Sequence, residues 1–231
     1  MTQLQLRAIR KALSVCGAAY HKLHQTIQPG MSEYEIRRLV EEFMRSQGYR
    51  RMAFPTIVAV GPNAYDFHHQ PRPRRICRGD MVVIDFGVRT ANTCTDITRT
   101  FFMGPPTTMF RHRYRIVLEA QKRALDAIAP EVQCSEVDMA ARSYFRTVKL
   151  GRAFRHGTGH GVGFRIHQFP RINARSSARL STGMVVTIEP GVYLRGWGGI
   201  RIEDMVEIRP GRSLILSHGI PKNLNAMIIH A

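Results

Sequence analysis

Between His156 and His167 the chain reads HGTGHGVGFRIH, with three histidines, His156, His160 and His167, among four glycines. Imidazoles bind metal or move protons near neutral pH. Glycines permit close backbone approach and positive φ angles. Taken alone, the stretch reads equally well as a surface loop with incidental histidines. The carboxylates around it change that balance. Asp85, Asp96, Glu189 and Glu203 lie in or beside apolar, strand-like runs. Each has an ordinary structural use. Asp85 would cap a turn at a strand end, and Asp96 would accept from backbone N–H groups. Glu189 would open the turn at Pro190, and Glu203 would pair with Arg201. Brought together, however, four acids repel one another, and buried charge requires pairing or metal coordination. A dinuclear divalent-metal site answers that requirement, with bridging carboxylates and one neutral nitrogen from His160. Two such ions hold and activate a water for attack on an amide carbonyl, with no serine or cysteine nucleophile.

The elements that must position these residues follow from periodicity. Residues 4–26 carry Leu6, Ile9, Leu13, Cys16, Ala19 and Leu23 mainly on one helical face. Pro29-Gly30 ends that helix. Ser32 with Glu35 three residues on is a capping-box pattern and predicts a helix from Glu33 to Ser46. Ile57 to Val60 reads as a strand ended by Gly61-Pro62-Asn63, with His68 and His69 in the following loop. Met81 to Phe86 is a short apolar strand whose one interior charge is Asp85. NTCTDITRTFF is the next strand, and alternation puts Asp96 and Thr98 on one side. Helices are expected over 111–129 and from Ser135, with Asp138 as its capping partner, to Val148. Strands near Met184–Glu189 and Ile200–Ile208 precede a short strand and coil at the end of the sequence.

The order repeats. Helix, proline break and capped helix precede GDMVVIDFG, and the same order precedes GMVVTIEPG. Each of these strands ends in an acid, Asp85 or Glu189, and a following strand carries Asp96 or Glu203. We expect one catalytic domain over residues 1–231, without a separate N-terminal domain. Its pseudo-repeats fall at about 1–108 and 109–231. The predicted fold class is α+β: two pseudo-symmetric helix-strand halves around a curved, largely antiparallel sheet.

An apolar fraction of 44% suffices for a substantial core. The net charge of +17 attracts nucleic acid, anionic membrane or acidic peptides non-specifically. No zinc finger, RNP-like strand pair or basic zipper supports nucleic-acid readout. The densest basic cluster, PRPRRICRG from Pro71 to Gly79, reads as a solvated loop. Cys16, Cys77, Cys94 and Cys134 form no CxxC pair or disulfide framework. Neither a signal-peptide apolar region nor a run of transmembrane length is present. The cytoplasm is the expected compartment.

VVIDFG, TDITRTF, HGTGHGVG, TIEPG and RIED, in this order and spacing, resemble the catalytic domain of the pita-bread metallopeptidases, peptidase family M24. The resemblance covers nearly the whole chain and implies the pita-bread fold. By motif, Asp85, Asp96, His160, Glu189 and Glu203 correspond to five metal ligands, with Asp96 and Glu203 bridging. Glu189 also corresponds to the carboxylate that takes a proton from the attacking water. His167 corresponds to the histidine at the scissile carbonyl, and His68 to a second substrate histidine on the leaving side. His156 resembles a further active-site histidine, and Arg201 a partner behind the acids. Two divalent ions are implied, Mn or Co first, with Zn or Fe as alternatives.

GIRIEDMVEI and NAYDFHHQP resemble the Xaa-Pro aminopeptidase and prolidase branch. The implied activity is hydrolysis of short, proline-containing peptides at an Xaa-Pro bond, as aminopeptidase or dipeptidase, and the implied assembly is a homodimer. A methionine aminopeptidase is the enzymatic alternative. A non-catalytic peptide- or nucleic-acid-binding protein on the same fold is the alternative of another class. Two positions depart from the family pattern near the site. Gln168 replaces the glutamate of HExP, and Phe67 stands where proline often precedes the substrate histidine.

Overall fold

The computed structural model describes residues 1–230. Helix α1, Gln3–Thr26, opens with Thr2 and Gln5 in a reciprocal capping box. Helix α2, Glu33–Ser46, is capped by Ser32 and Glu35 as its sequence predicts. Strands β1 (Ile57–Val60), β2 (Met81–Phe86) and β3 (Ile97–Met103) complete the first half. Helices α3 (Thr108–Asp126) and α4 (Cys134–Thr147) open the second. Its strands are β4 (Gly159–Gly161), β5 (Gln168–Ile172), β6 (Val185–Ile188), β7 (Gly191–Leu194), β8 (Gly198–Arg201), β9 (Asp204–Glu207) and β10 (Leu214–Ile215). A final strand, β11 (Ile228–Ile229), returns to the first half.

The strands form three hydrogen-bonded sheets rather than one: β1-β2-β3-β11, β10-β9-β6-β4-β5 and β7-β8. All pair antiparallel except β11, which runs parallel to β3. The α+β pita-bread architecture stands, and its halves match: β3 returns antiparallel on β2 as β9 returns on β6. Helix α1 serves both. Its Cys16, Tyr20 and Leu23 enter the main core with Ile36, Val83, Phe101 and Val206. Its Leu6, Ile9 and Leu13 pack with Val162, Val185 and Met205. Each fully buried leucine, isoleucine, valine, phenylalanine or methionine among them contributes about 1.5–3 kcal/mol.

Local differences from the sequence expectation have physical causes. Helix α4 starts at Cys134, and its capping box joins Gln133 to Glu136. Asp138, expected to be the capping partner, is instead fully buried and turned toward Arg142 and Thr158. Helix α3 begins at Thr108 because the Thr107 hydroxyl accepts from the Phe110 N–H. The strand expected over Ile200–Ile208 is broken, since β8 pairs with β7 whereas β9 pairs with β6. Ile202 and Glu203 fall in the break. NTCTDITRTFF becomes regular strand only at Ile97, leaving Asp96 just ahead of it.

Candidate metal centre

Four carboxylates stand where paired strands meet their connections. Asp85 is near the end of β2, opposite Thr98 of β3, and Asp96 immediately precedes β3. Glu189 immediately follows β6, and Glu203 immediately precedes β9. Each pair of strands is tied by one helical side chain. The Tyr20 hydroxyl of α1 lies 2.8 Å from the carbonyl of Ile84 and 2.9 Å from that of Ile97. The Gln121 amide of α3 donates to the carbonyls of Ile188 and Ile202, each at 3.1 Å. All four carbonyls belong to residues adjoining the acids.

The histidine stretch is not a loop at its centre: His160 lies on β4, between β5 and β6. Its glycines serve close packing, since none of Gly157, Gly159, Gly161 and Gly163 has a positive φ. A Cβ on Gly159 would lie 1.9 Å from the Thr187 carbonyl oxygen, and one on Gly161 2.3 Å from that of Phe169. Only glycine therefore lets β4 lie this close to its neighbours. His160 Nδ1 lies 3.1 Å from the Gly161 carbonyl, which assigns the ring proton to that nitrogen. Nε2 then turns a lone pair toward Asp96 Oδ2 and Glu189 Oε1, each at 3.4 Å. One ligand atom from each of Asp96, His160 and Glu203 lies within 4.8 Å of the others.

Arg201 backs the cluster. Its Nη2 donates to Asp85 Oδ2 at 2.7 Å, and its Nε donates to Thr98 Oγ1 at 3.1 Å. Thr98 Oγ1 in turn donates to Glu203 Oε2 at 2.7 Å. One arginine does not balance four acids. Burial, then the charges of Asp85 and Glu189, push the Asp96 carboxyl well above the ordinary range. Burial, then Asp96, Glu189 and Asp85, do the same to Glu203. Burial raises Glu189 against the opposing pull of His160 and Arg201. Asp85 Oδ1 is buried without a hydrogen-bond partner. An orphaned carboxylate oxygen, mutually repelling acids and an inward lone pair on His160 are the donor set a divalent cation satisfies.

A cavity of about 1210 Å³ opens over the cluster. Asp85, Asp96, His160 and Glu189 line its floor, with His68, His156, His167 and Arg201 around them. The His167 ring packs edge-on against His160, centroids 4.4 Å apart. Burial, then the neighbouring His160, lower its pKa, which favours a neutral ring. His68 is exposed at the cavity lining and packs at a tilt against Phe67, centroids 4.5 Å apart. His156 is lowered to about 3 by desolvation and then by the Arg201 charge. Its Nδ1 meets the Gly157 carbonyl and its Nε2 accepts from the Tyr193 hydroxyl, both at 2.8 Å. Arg201 Nη1 donates to that same hydroxyl at 3.0 Å. All nine residues singled out in the sequence thus converge: eight line the cavity, and Glu203 lies buried in the cluster below it. Arg201 pairs with Asp85, not with Glu203 as the simple sequence pairing has it.

Sequence reasoning missed Tyr193, which joins Arg201 to His156. It also missed the buried pair of Glu33 and His69, 2.8 Å apart, beside His68. Asp138 Oδ1, which accepts from the N–H and hydroxyl of Thr158 two residues before His160, was assigned to a cap. The His68-His69 doublet carried a signal, since one of two adjacent histidines could serve as an anchor. Tyr193 and Asp138 carried none, because their partners are distant in sequence or reached only through the fold.

The family model for metallopeptidase family M24 matches residues 7–210. The Xaa-Pro dipeptidase of Pyrococcus furiosus is 41% identical over 207 residues, which cover 90% of this chain and 60% of that protein. The solved X-Pro aminopeptidase of Thermotoga maritima superposes with a TM-score of 0.94 at 36% identity, covering 100% of this chain and 64% of that one. The Xaa-Pro dipeptidase of Bacillus anthracis gives a TM-score of 0.94 at 36% identity, covering 98% and 63%. The chain therefore spans about six tenths of the length of these relatives. With the fold, the site and the motif order in agreement, the chain belongs to metallopeptidase family M24.

Proposed function

We propose that this chain hydrolyses short peptides at an Xaa-Pro bond, using two divalent metal ions, Mn or Co first and Zn or Fe as alternatives. Asp85, Asp96, His160, Glu189 and Glu203 would hold the ions. The single observation that carries this is the convergence of four carboxylates and the His160 lone pair in one cluster, three of the acids on the cavity floor and Glu203 just beneath it. Bound ions there would supply Lewis-acid polarisation of the carbonyl and a water nucleophile at neutral pH. Glu189, with its raised carboxyl pKa, takes the proton released as water attacks and returns it to the departing nitrogen. That return matters at proline, whose imide nitrogen carries no hydrogen of its own. Neutral His167 donates to the carbonyl oxygen as negative charge develops. His68 contacts the leaving side. Arg201, through Asp85, Thr98 and Tyr193, holds the acids and His156 in place.

The test strips the protein of metal, returns defined ions one at a time, and assays Xaa-Pro peptides beside methionine-initiated ones. Turnover should vanish on stripping and return with metal. Glu189→Gln should lower kcat by about 10²- to 10⁴-fold. A folded, metal-loaded protein with no turnover across the panel overturns the proposal. Preferential cleavage after methionine reassigns the branch. Cytoplasmic placement and a homodimer belong to the same proposal by resemblance. Cell fractionation and light scattering test them.

A further inference from the structure

The pocket wall formed by β4, β5 and their flanks is strongly cationic. Arg165 lies in the connection between the two strands, Arg171 on β5 opposite His160, and Arg175 just beyond β5. All three are exposed and line the cavity. Among the described residues, none of their guanidinium groups has an ion-pair or hydrogen-bond partner, whereas Arg201 is committed to Asp85. The acids lining the cavity are Asp85, Asp96 and Glu189, all part of the metal cluster. The other polar side chains that this segment gives to the lining, Gln168, Asn173, Ser176 and Ser177, are uncharged. With 34 basic and 17 acidic side chains, some arginines must lack a carboxylate of their own. That surplus does not explain three of them on one wall of one cavity. At about 1210 Å³ the cavity also exceeds the roughly 300–1,000 Å³ of usual small-ligand pockets. It has room for residues beyond the scissile bond.

We propose that the pocket selects peptides bearing an acidic side chain, recognised by Arg165 and Arg175. This rests on the peptidase reading above and names its substrate class. A guanidinium takes a carboxylate in a bidentate fork, and a cleft of one sign concentrates oppositely charged ligands. Arg171 lies nearer the reacting centre, since it pairs directly across from His160 in the β4–β5 register. Arg165 and Arg175 lie on either side of β5 in the chain, where substrate side chains rather than the reacting amide would meet them.

The experiment uses the metal-loaded full chain and pairs of Xaa-Pro peptides that differ only by Glu against Gln. One pair places the change before the scissile bond and another after it. The glutamate member of at least one pair should show a KM about 3- to 10-fold lower, with the advantage shrinking as salt rises. Arg165→Glu or Arg175→Glu should erase or invert that ratio. Arg165→Lys and Arg175→Lys should retain part of it. Arg212→Glu, an equal charge change at another exposed position, should leave the ratio intact. Equal KM values in both pairs overturn the inference while leaving the peptidase reading standing. So does a preference that the pocket variants do not alter. If no peptide turns over, the peptidase reading fails, and anisotropy with labelled Glu and Gln peptides decides acidic recognition. A tighter Kd for the Glu peptide supports it, and equal Kd values sink it. A single-stranded oligonucleotide that blocks both members equally, below the glutamate peptide's KM, assigns the arginines to nucleic acid and also overturns it.

Discussion

Thr98 does two tasks with one hydroxyl: it accepts from Arg201 Nε and donates to Glu203 Oε2. Thr98→Val keeps the branched shape but strands a guanidinium N–H and a carboxylate oxygen in the core. We expect a loss of about 1–3 kcal/mol in chemical denaturation, and weaker metal binding by calorimetry. Thr98→Ser should restore both. A second residue-scale prediction concerns pH. Burial alone would raise the Glu33 carboxyl. Hydrogen bonds from His69, Val60, Asn63 and Arg72 outweigh it and hold the group below its ordinary value. A depressed folded pKa gives stability that is present above the unfolded pKa and lost as pH falls through the folded one. Glu33→Gln should therefore flatten the acid side of a plot of Tm against pH, and an unchanged acid side rejects this account. The acids and His160 were legible in the sequence because charge in apolar strands and histidine among glycines are anomalies at their own positions. Thr98 was legible only as a face, shared with Asp96. Its hydrogen bonds reach residues more than 100 positions away, so they depend on the closed fold.

At the scale of elements, each half-site is hung from one helix. Tyr20 grips the carbonyls of Ile84 and Ile97, beside Asp85 and Asp96. Gln121 grips those of Ile188 and Ile202, beside Glu189 and Glu203. The two residues differ in type but hold equivalent points of the two strand pairs. Tyr20→Phe and Gln121→Met each remove the grip while nearly conserving volume. Each should cost about 1–2 kcal/mol of stability and lower metal affinity from its own half. The double variant should be close to additive, because the sites share no partner. A metal titration unaffected by either variant would show the grips to be structural only. The helices themselves were readable from apolar spacing and caps, and α2 matched to the residue. What was not readable was the break between β8 and β9. RIEDM continues the apolar alternation without a turn residue, and only the competing partners β7 and β6 decide it. The histidine stretch was open to two readings of its glycines, positive φ or close backbone approach, and only the pairing of β4 with β5 and β6 decides for close approach.

For the whole molecule, folding forces a local excess of negative charge inside a chain whose net charge is +17. The surface surplus cannot relieve it, because Asp85, Asp96 and Glu203 are at most 8% exposed and the guanidinium among them is committed to Asp85. Stability and metal loading are therefore linked. An ion that binds only the folded chain adds about 2.7 kcal/mol at a concentration one hundred times its Kd. Replacing one acid separates the two contributions. Glu203→Gln removes a buried negative charge while keeping an amide oxygen that the Thr98 hydroxyl can still reach. Without metal, the variant should melt above the parent, because the repulsion with Asp96 and Glu189 falls. With saturating metal the order should reverse, because the variant has lost a carboxylate ligand. Calorimetric scans of both proteins, with and without added ions, give four Tm values. If Glu203→Gln lowers Tm in the metal-free pair as well, the carboxylate stabilises the fold on its own account. The crossing of the two orders is what marks the cluster as a site whose strain a bound cation relieves.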